Sequence, residues 1–321
     1  MTNTSASDHK AVQPGISKEP TLVTQSAMTQ SAQYQGFQDK PRSLWSDAWR
    51  RLRYSITARI GMVIVAVIVL TAVLAPVVDP YNPKLDSDLE NARQPPSWAH
   101  IMGTDRLGRD IFRRIIHGAR LSLSVGLVAV LVAGTGGTVL GLVSGYFGGA
   151  VDMAIMRVVD ILMAFPGMLL AIAIVAVRGT GLFNTMIALS VTGVSGYARL
   201  VRSMVLSLRE RDYVQAAHMV GVRNPRIIFR HIFPNSLAPI IVSATMGIGG
   251  TILSAAALGF LGLGAQPPAP EWGVMISEGV PFLRQSPHMV FFPGMAIMFT
   301  VLGFNLLGDG LRDALDPQMQ E

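Results

Sequence analysis

Tyr213 to Asn235 reads YVQAAHMVGVRNPRIIFRHIFPN, and residue type and spacing are most informative there. Tyr213, Ala216, Ala217 and Val220 share one helical face by their i, i+3, i+4, i+7 spacing. Gly221 suits a helix end. Asn224 followed by Pro225 supplies an N-cap with proline at the first helical position, so a second short helix is predicted there. Pro234 is expected to stop that helix. The product is a helix-turn-helix elbow whose small residues, Ala216, Ala217 and Gly221, open the backbone to close approach. Its chemistry is contact with a partner, or packing onto its own bundle. The pattern by itself fits both.

Other chemistries are excluded by absence. A phosphate-binding loop needs a Gly-Lys-Ser/Thr step, and no lysine follows Lys84. The chain has no cysteine, which removes disulfides, thiolate metal sites and cysteine nucleophiles. The six histidines, among them His100, His117, His218 and His231, lack metal-ligand spacing. No acid–base dyad or nucleophile elbow is found, so no catalytic, cofactor-binding or metal site is expected. Ion-coupled carriers place ionisable residues at mid-membrane. Here Asp160 stands near the start of an apolar run, where an ion pair with Arg157 is its expected role. The chain is expected to move something without holding its own fuel.

The elements around the elbow are apolar. Half of the 321 residues are hydrophobic and 14% are charged, against about a quarter in soluble domains. Six runs approach the ~20 residues needed to cross ~30 Å of hydrocarbon. They are Ile60–Val78, Leu121–Gly145, Val158–Val177, Leu182–Met204, Leu237–Phe260 and Met289–Leu307. Helices are expected because backbone groups in lipid must be satisfied within the segment. Residues 1–43 are Thr-, Ser- and Gln-rich and are expected to be a disordered cytoplasmic tail with no cleavable signal. Residues 44–59 form a basic amphipathic segment, 60–317 the membrane domain, 206–235 its elbow loop and 318–321 a short tail. Arg50, Arg51, Arg53 and Arg59, together with the arginines of the elbow, put both termini and the elbow in the cytoplasm. The net charge of +6 follows membrane topology rather than a nucleic-acid surface. The arginines between Arg106 and Arg120 oppose this rule.

Within that frame, Leu107, Ile111 and Ile115 predict a short interfacial helix capped by Thr104 or Asp105. Gly137, Gly141 and Gly145 recur on one helical face and predict close helix packing. Pro166-Gly167 predicts a kink in the third run. Phe165, Met168 and Ser254 are candidates for lining a path, with plain packing as the alternative. Trp272 is placed at the lipid interface.

The elbow resembles the EAA loop of ABC importer permeases. In that loop Glu-Ala-Ala is followed by a glycine and then a proline, at spacings matched here by Gln215, Ala216, Ala217, Gly221 and Pro234. Gln215 replaces the usual glutamate, keeping hydrogen bonding and losing charge. The motifs GTDRLGRD, GARLSLSVG, RHIFPN, LGFLGLGAQPPAPEWG and NLLGDGLRDALDP extend the resemblance over about 45–317. They resemble the C-type permease of the dipeptide/oligopeptide/nickel branch. The resemblance implies an all-α integral membrane protein with six transmembrane helices in a type I ABC importer bundle. It implies coupling to ATPases through Gln215, Ala216, Ala217, Gly221, Arg223, His231 and Pro234. The implied partners are a B-type permease, two ATPases that bind the ATP and magnesium, and an extracytoplasmic solute-binding protein. The implied location is the bacterial inner membrane, and the implied cargo is di- or oligopeptide. Nickel chelates or glutathione are alternatives within the same machinery. An ion-coupled carrier is the alternative of another class.

Overall fold

Hydrocarbon offers the backbone no water to bond, and the apolar runs of this chain close their hydrogen bonds internally as helices. A computed structural model describes residues 50–78, 80–82 and 86–315. These fall in the second of two contact-defined units, Asp47–Glu321. The N-terminal tail, the start of the basic segment and residues 316–321 lie outside the described residues.

The long helices are α1 (Ile56–Val78), α2 (Ile111–Phe147), α3 (Gly149–Met163), α4 (Gly167–Arg178) and α5 (Leu182–Arg209). Two short helices, α6 (Asp212–Met219) and α7 (Asn224–Ile227), lead through a π-helical turn, Ile228–Ile232, into α8 (Phe233–Phe260). Then come α9 (Trp272–Gly279) and α10 (His288–Leu315). Among the described residues there is no β-strand, only an isolated bridge between Thr104 and Asp110.

The span count departs from six. Among the described residues, four helical stretches are long and apolar enough to cross a membrane: Ile56–Val77, Ile111–Phe147, Asn224–Phe260 and His288–Leu315. The third run is not one kinked span. It breaks at Ala164–Pro166 into α3 and α4, which meet at 90° and count as a fifth crossing only if joined. Proline at 166 and glycine at 167 explain the break. The 28-residue α5 has the length to cross but carries Arg199, Arg202 and Arg209 among serines, threonines and glycines. Its apolar face is turned inward onto α2.

The interfacial helix expected around Leu107 is also replaced. Residues 103–110 form a tight turn, and the helix begins only at Ile111 and runs unbroken for 37 residues. Asp110, not Thr104 or Asp105, is the N-cap and accepts from the Arg113 amide at 3.0 Å. The Asp105 carboxylate is committed elsewhere, to the amides of Leu107 and Arg109 at 2.8 and 2.9 Å.

Helix α2 lies at the centre, with α5 along much of its length. A Cβ on Gly141 would stand 2.6 Å from the Ala198 carbonyl oxygen and 2.9 Å from the Arg202 nitrogen. At Gly137 it would meet the Val194 carbonyl at 2.6 Å. Those neighbours are backbone and have no rotamer to change, so small residues here set the separation of the two helices. Helix α10 is seated on α8 and α1 in the same way, with Gly61 facing the Leu307 amide at 2.5 Å from where its Cβ would be.

Gly141→Leu is therefore expected to cost about 1–3 kcal/mol of stability, read as a lower melting temperature in detergent. Gly250→Ala, whose Cβ would meet nothing within 4 Å, is expected to leave that temperature unchanged. Equal losses for both would remove the packing explanation.

Candidate functional site

The elbow has an inward and an outward face. Val214 of α6 and Ile227, Ile228 and Ile232 beyond it are buried against Leu142, Val201 and Val205 of α2 and α5. Ala217 is half-buried beside them. Ala216 is exposed, with Tyr213, Met219, Val220 and Phe229, the last three being 90%, 81% and 69% accessible. The packing reading of the loop holds for the inner face, and the outer face is left exposed. Gly221 sits between the arms at φ +79, with nothing within 4 Å of where its Cβ would be. A hollow of about 620 Å³ opens beside it, lined by Val220, Gly221, Val222, Arg223, Pro225 and Arg226.

The remaining coupling candidates cluster on this elbow. Gln215 donates from Nε2 to the Glu210 carbonyl at 3.3 Å, a bond a glutamate side chain does not make when ionised. His231 packs its ring 6.2 Å from Tyr213, tying the π-helical turn to α6. Arg223, rather than Asn224, is the N-cap of α7, and no side chain caps that helix. Pro234 does not end the second arm. It follows directly on the π-helical turn, and helix continues through it from Asn224 to Phe260.

Of the path candidates, Met168 and Ser254 share a cavity of about 280 Å³ with Gly167, Thr192, Gly250 and Thr251. Its named wall carries no ionisable side chain. Phe165 is not part of that wall. It stands 57% exposed at the break between α3 and α4.

Two assignments are corrected. Asp160 pairs with Arg199 at 2.8 Å rather than with Arg157. Arg157 lies three residues away on the same helix, whereas α5 brings Arg199 alongside. Trp272 is 2% exposed and donates from Nε1 to the Ile115 carbonyl at 3.1 Å. It plugs the start of α2 instead of sitting in lipid, because α9 folds the loop between α8 and α10 back onto the bundle.

The family model described as binding-protein-dependent transport system inner membrane component matches residues 137–321, over half of the chain. The chain belongs to that family. A second model, the N-terminal TM domain of oligopeptide transport permease C, matches residues 43–96. The dipeptide transport system permease protein of Alkalihalophilus pseudofirmus is 52% identical over 278 residues, 87% of this chain and 91% of that one. The glutathione transport system permease protein of Pectobacterium atrosepticum is 46% identical over 280 residues, 87% of this chain and 93% of that one. A solved structure titled as an inward-facing conformation of the MetNI methionine ABC transporter aligns at a TM-score of 0.49 and 16% identity, over 63% of this chain and 96% of that one, too loosely to argue from. The protein is a multi-pass inner-membrane permease subunit of an ABC importer, not an enzyme. Such a permease works with a partner permease, ATPase subunits and a substrate-binding protein.

At the end of the permease away from the elbow, sequence reasoning missed a buried charge cluster. Asp105 pairs with Arg109 at 2.6 Å and also with Arg114. Glu278 of α9 receives Arg114 at 2.8 Å, Arg109 at 3.3 Å and Arg106 at 3.2 Å. Arg109 and Arg114 are 1% and 2% exposed. The signal was present in the sequence, since these are the arginines that oppose the positive-inside rule. Asp105 lies close by in the chain, but their second counter-charge, Glu278, is more than 160 residues away. Glu278→Gln leaves two buried guanidiniums to one carboxylate, and its expected cost is about 3–5 kcal/mol. A melting curve in detergent within experimental error of the parent would contradict that.

Glu271 caps α9, accepting from the amides of Gly273 and Val274 at 3.0 Å each, with the Ser122 hydroxyl 3.4 Å away. Burial pushes its carboxyl above the ordinary value of 4.5, and the bonds from Gly273, Val274 and Ser122 offset this only in part. The protonated form is thus favoured by folding. That contribution is complete below about pH 4.5, the unfolded value, and is lost as pH rises through the raised folded pKa. The parent is expected to gain thermal stability, relative to Glu271→Gln, as pH falls from 7 towards 5. Parallel melting-temperature profiles for the two proteins would rule this out.

Proposed function

We propose that this permease pairs with a B-type permease to form the path for short peptides, and that two ATPases drive it through the elbow. The observation that carries the coupling role is the elbow's outer face. Met219, Val220 and Phe229 are large, apolar and exposed on the elbow, and Val220 lines the hollow that opens at Gly221. Exposed apolar residues beside a hollow are the mark of a protein contact. Gln215, Ala216, Ala217, Gly221, Arg223, His231 and Pro234 all belong to this elbow or the helix start beside it. The surrounding arginines, Arg209, Arg211, Arg223, Arg226 and Arg230, support a cytoplasmic elbow and cytoplasmic termini. The solute-binding protein then meets the opposite end. ATP and magnesium stay on the ATPases.

A short-peptide cargo is supported by the two relatives whose names specify dipeptide and glutathione. The cavity holding Met168 and Ser254 is the proposed part of the path in this subunit. Its hydroxyls and glycines suit a polar cargo of mixed charge better than a fixed counter-ion would.

Because the chain has no cysteine, Val220→Cys introduces its only thiol. It is expected to cross-link to an ATPase subunit in membranes and to leave the partner permease unlinked at that position. Ala216→Arg, at an exposed position that leaves the elbow's own core intact, is expected to reduce uptake of a radiolabelled dipeptide at least tenfold. Failure of the cross-link together with normal uptake by Ala216→Arg would end the docking assignment. Mass spectrometry of ligand released from the binding protein decides between dipeptide, glutathione and a nickel chelate.

A further inference from the structure

Tyr146 is the penultimate residue of α2, where that helix ends beside the elbow. Its hydroxyl donates to Asn224 Oδ1 at 3.0 Å and lies 3.1 Å from His218 Nε2. A phenol has one proton to give. With that proton committed to Asn224, His218 is the donor in the second bond, so its Nε2 carries hydrogen. The two rings also stack, with centroids 5.9 Å apart and an interplanar angle of 18°. His218 belongs to α6 and Asn224 to α7, so one side chain holds both arms of the elbow across the Gly221 turn.

Local structure alone would use Asn224 differently. An asparagine before a proline is well suited to capping, yet α7 begins without a side-chain cap and the Asn224 oxygen is turned to Tyr146. Tyr146 is half-buried against the apolar core of the elbow, whereas His218 and Asn224 are exposed, so apolar burial seats the ring but does not account for the two polar contacts of its hydroxyl. The helix that bears Tyr146 is tied in turn to its neighbours. Ser144 bonds Asp152 of α3. Asp152 takes two bonds from Arg202 of α5, both 2.6 Å. Arg209 donates to the Gly145 carbonyl at 3.2 Å. From there α2 runs about 48 Å at 1.5 Å per residue to Arg114, inside the charge cluster at the far end.

We propose that Tyr146 is a positioning residue that fixes the two elbow arms to each other and transmits their displacement to α2 as a rod. This rests on the elbow being the ATPase-docking element. The role is specific to the hydroxyl. Apolar contacts such as Val214 and Ile227 already hold the elbow in place, whereas Tyr146 alone contacts both arms through directed bonds at the end of α2.

The test uses the complete complex of both permeases and the ATPases in lipid nanodiscs. ATP hydrolysis is measured with and without the binding protein. Tyr146→Phe keeps the ring and removes both hydrogen bonds. It is expected to lower the stimulation by binding protein about two- to tenfold, the weight of one to two net hydrogen bonds, with complex yield and melting temperature unchanged. Asn224→Ala is expected to act in the same direction. The double variant is expected to be no worse than the more affected single one, because the residues act as a unit. Parent-like stimulation in Tyr146→Phe overturns the proposal. So do additive losses in the double variant, or a fall in melting temperature with stimulation preserved, which would make the contact a structural tie only. Cross-linking from Val220→Cys separates this from a failure of docking. A cross-link that persists with parent-like stimulation in Tyr146→Phe removes the Tyr146 role alone. No cross-link in the otherwise unaltered chain removes the docking reading itself.

Discussion

The close approach of α2 and α5 is the constraint on which the remaining structure depends. Three glycines spaced four apart leave room for backbone on backbone, and at Gly141 a single methyl group would collide with a carbonyl oxygen. In a lipid solvent there is little hydrophobic force between helices, so packing of this kind has to supply the association. With α2 fixed along α5, its two ends acquire defined surroundings. One end presents Tyr146 to the elbow, and the other delivers Arg114 to Asp105 and Glu278. A helix that slid or splayed along its partner could serve neither.

The two ends are stabilised by different physics. At the elbow, buried Val214, Ile227 and Ile232 anchor a short structure that leaves Met219 and Val220 in the open. Apolar burial holds the inner face, while the outer face stays unburied in the isolated subunit. At the opposite end, two acids and two arginines are removed from solvent together. A cluster of this kind is weak evidence for stability, because desolvation offsets much of the attraction. Its value lies in geometry, since the ion pairs of Glu278 with Arg109 and Arg114 tie α9 to the 103–110 turn and to the start of α2. Trp272 and Glu271 reinforce the same placement by bonding to α2 and to the start of α9.

The apolar character of the chain, the helix-turn-helix form of the elbow and the absence of a phosphate-binding lysine were all legible in the sequence. They depend on composition and on contacts within a few residues. The same holds for Gly221, whose position after a short amphipathic run called for a left-handed backbone and received φ +79. Where the reading departed from the structure, a contact distant in sequence had overridden a local preference. Asn224 was suited to capping, and Tyr146, 78 residues earlier, took its oxygen instead. Asp160 was suited to a pair with Arg157, and Arg199, 39 residues later, took its carboxylate instead. Trp272 had the composition of an interfacial anchor, but α9 folded it inward onto Ile115. Local rules therefore determined which segments are helical and which residues carry contact chemistry. Only tertiary packing decided which partner each polar group would satisfy, because a buried donor or acceptor is bound by whatever the fold brings within 3 Å of it, at any separation along the chain.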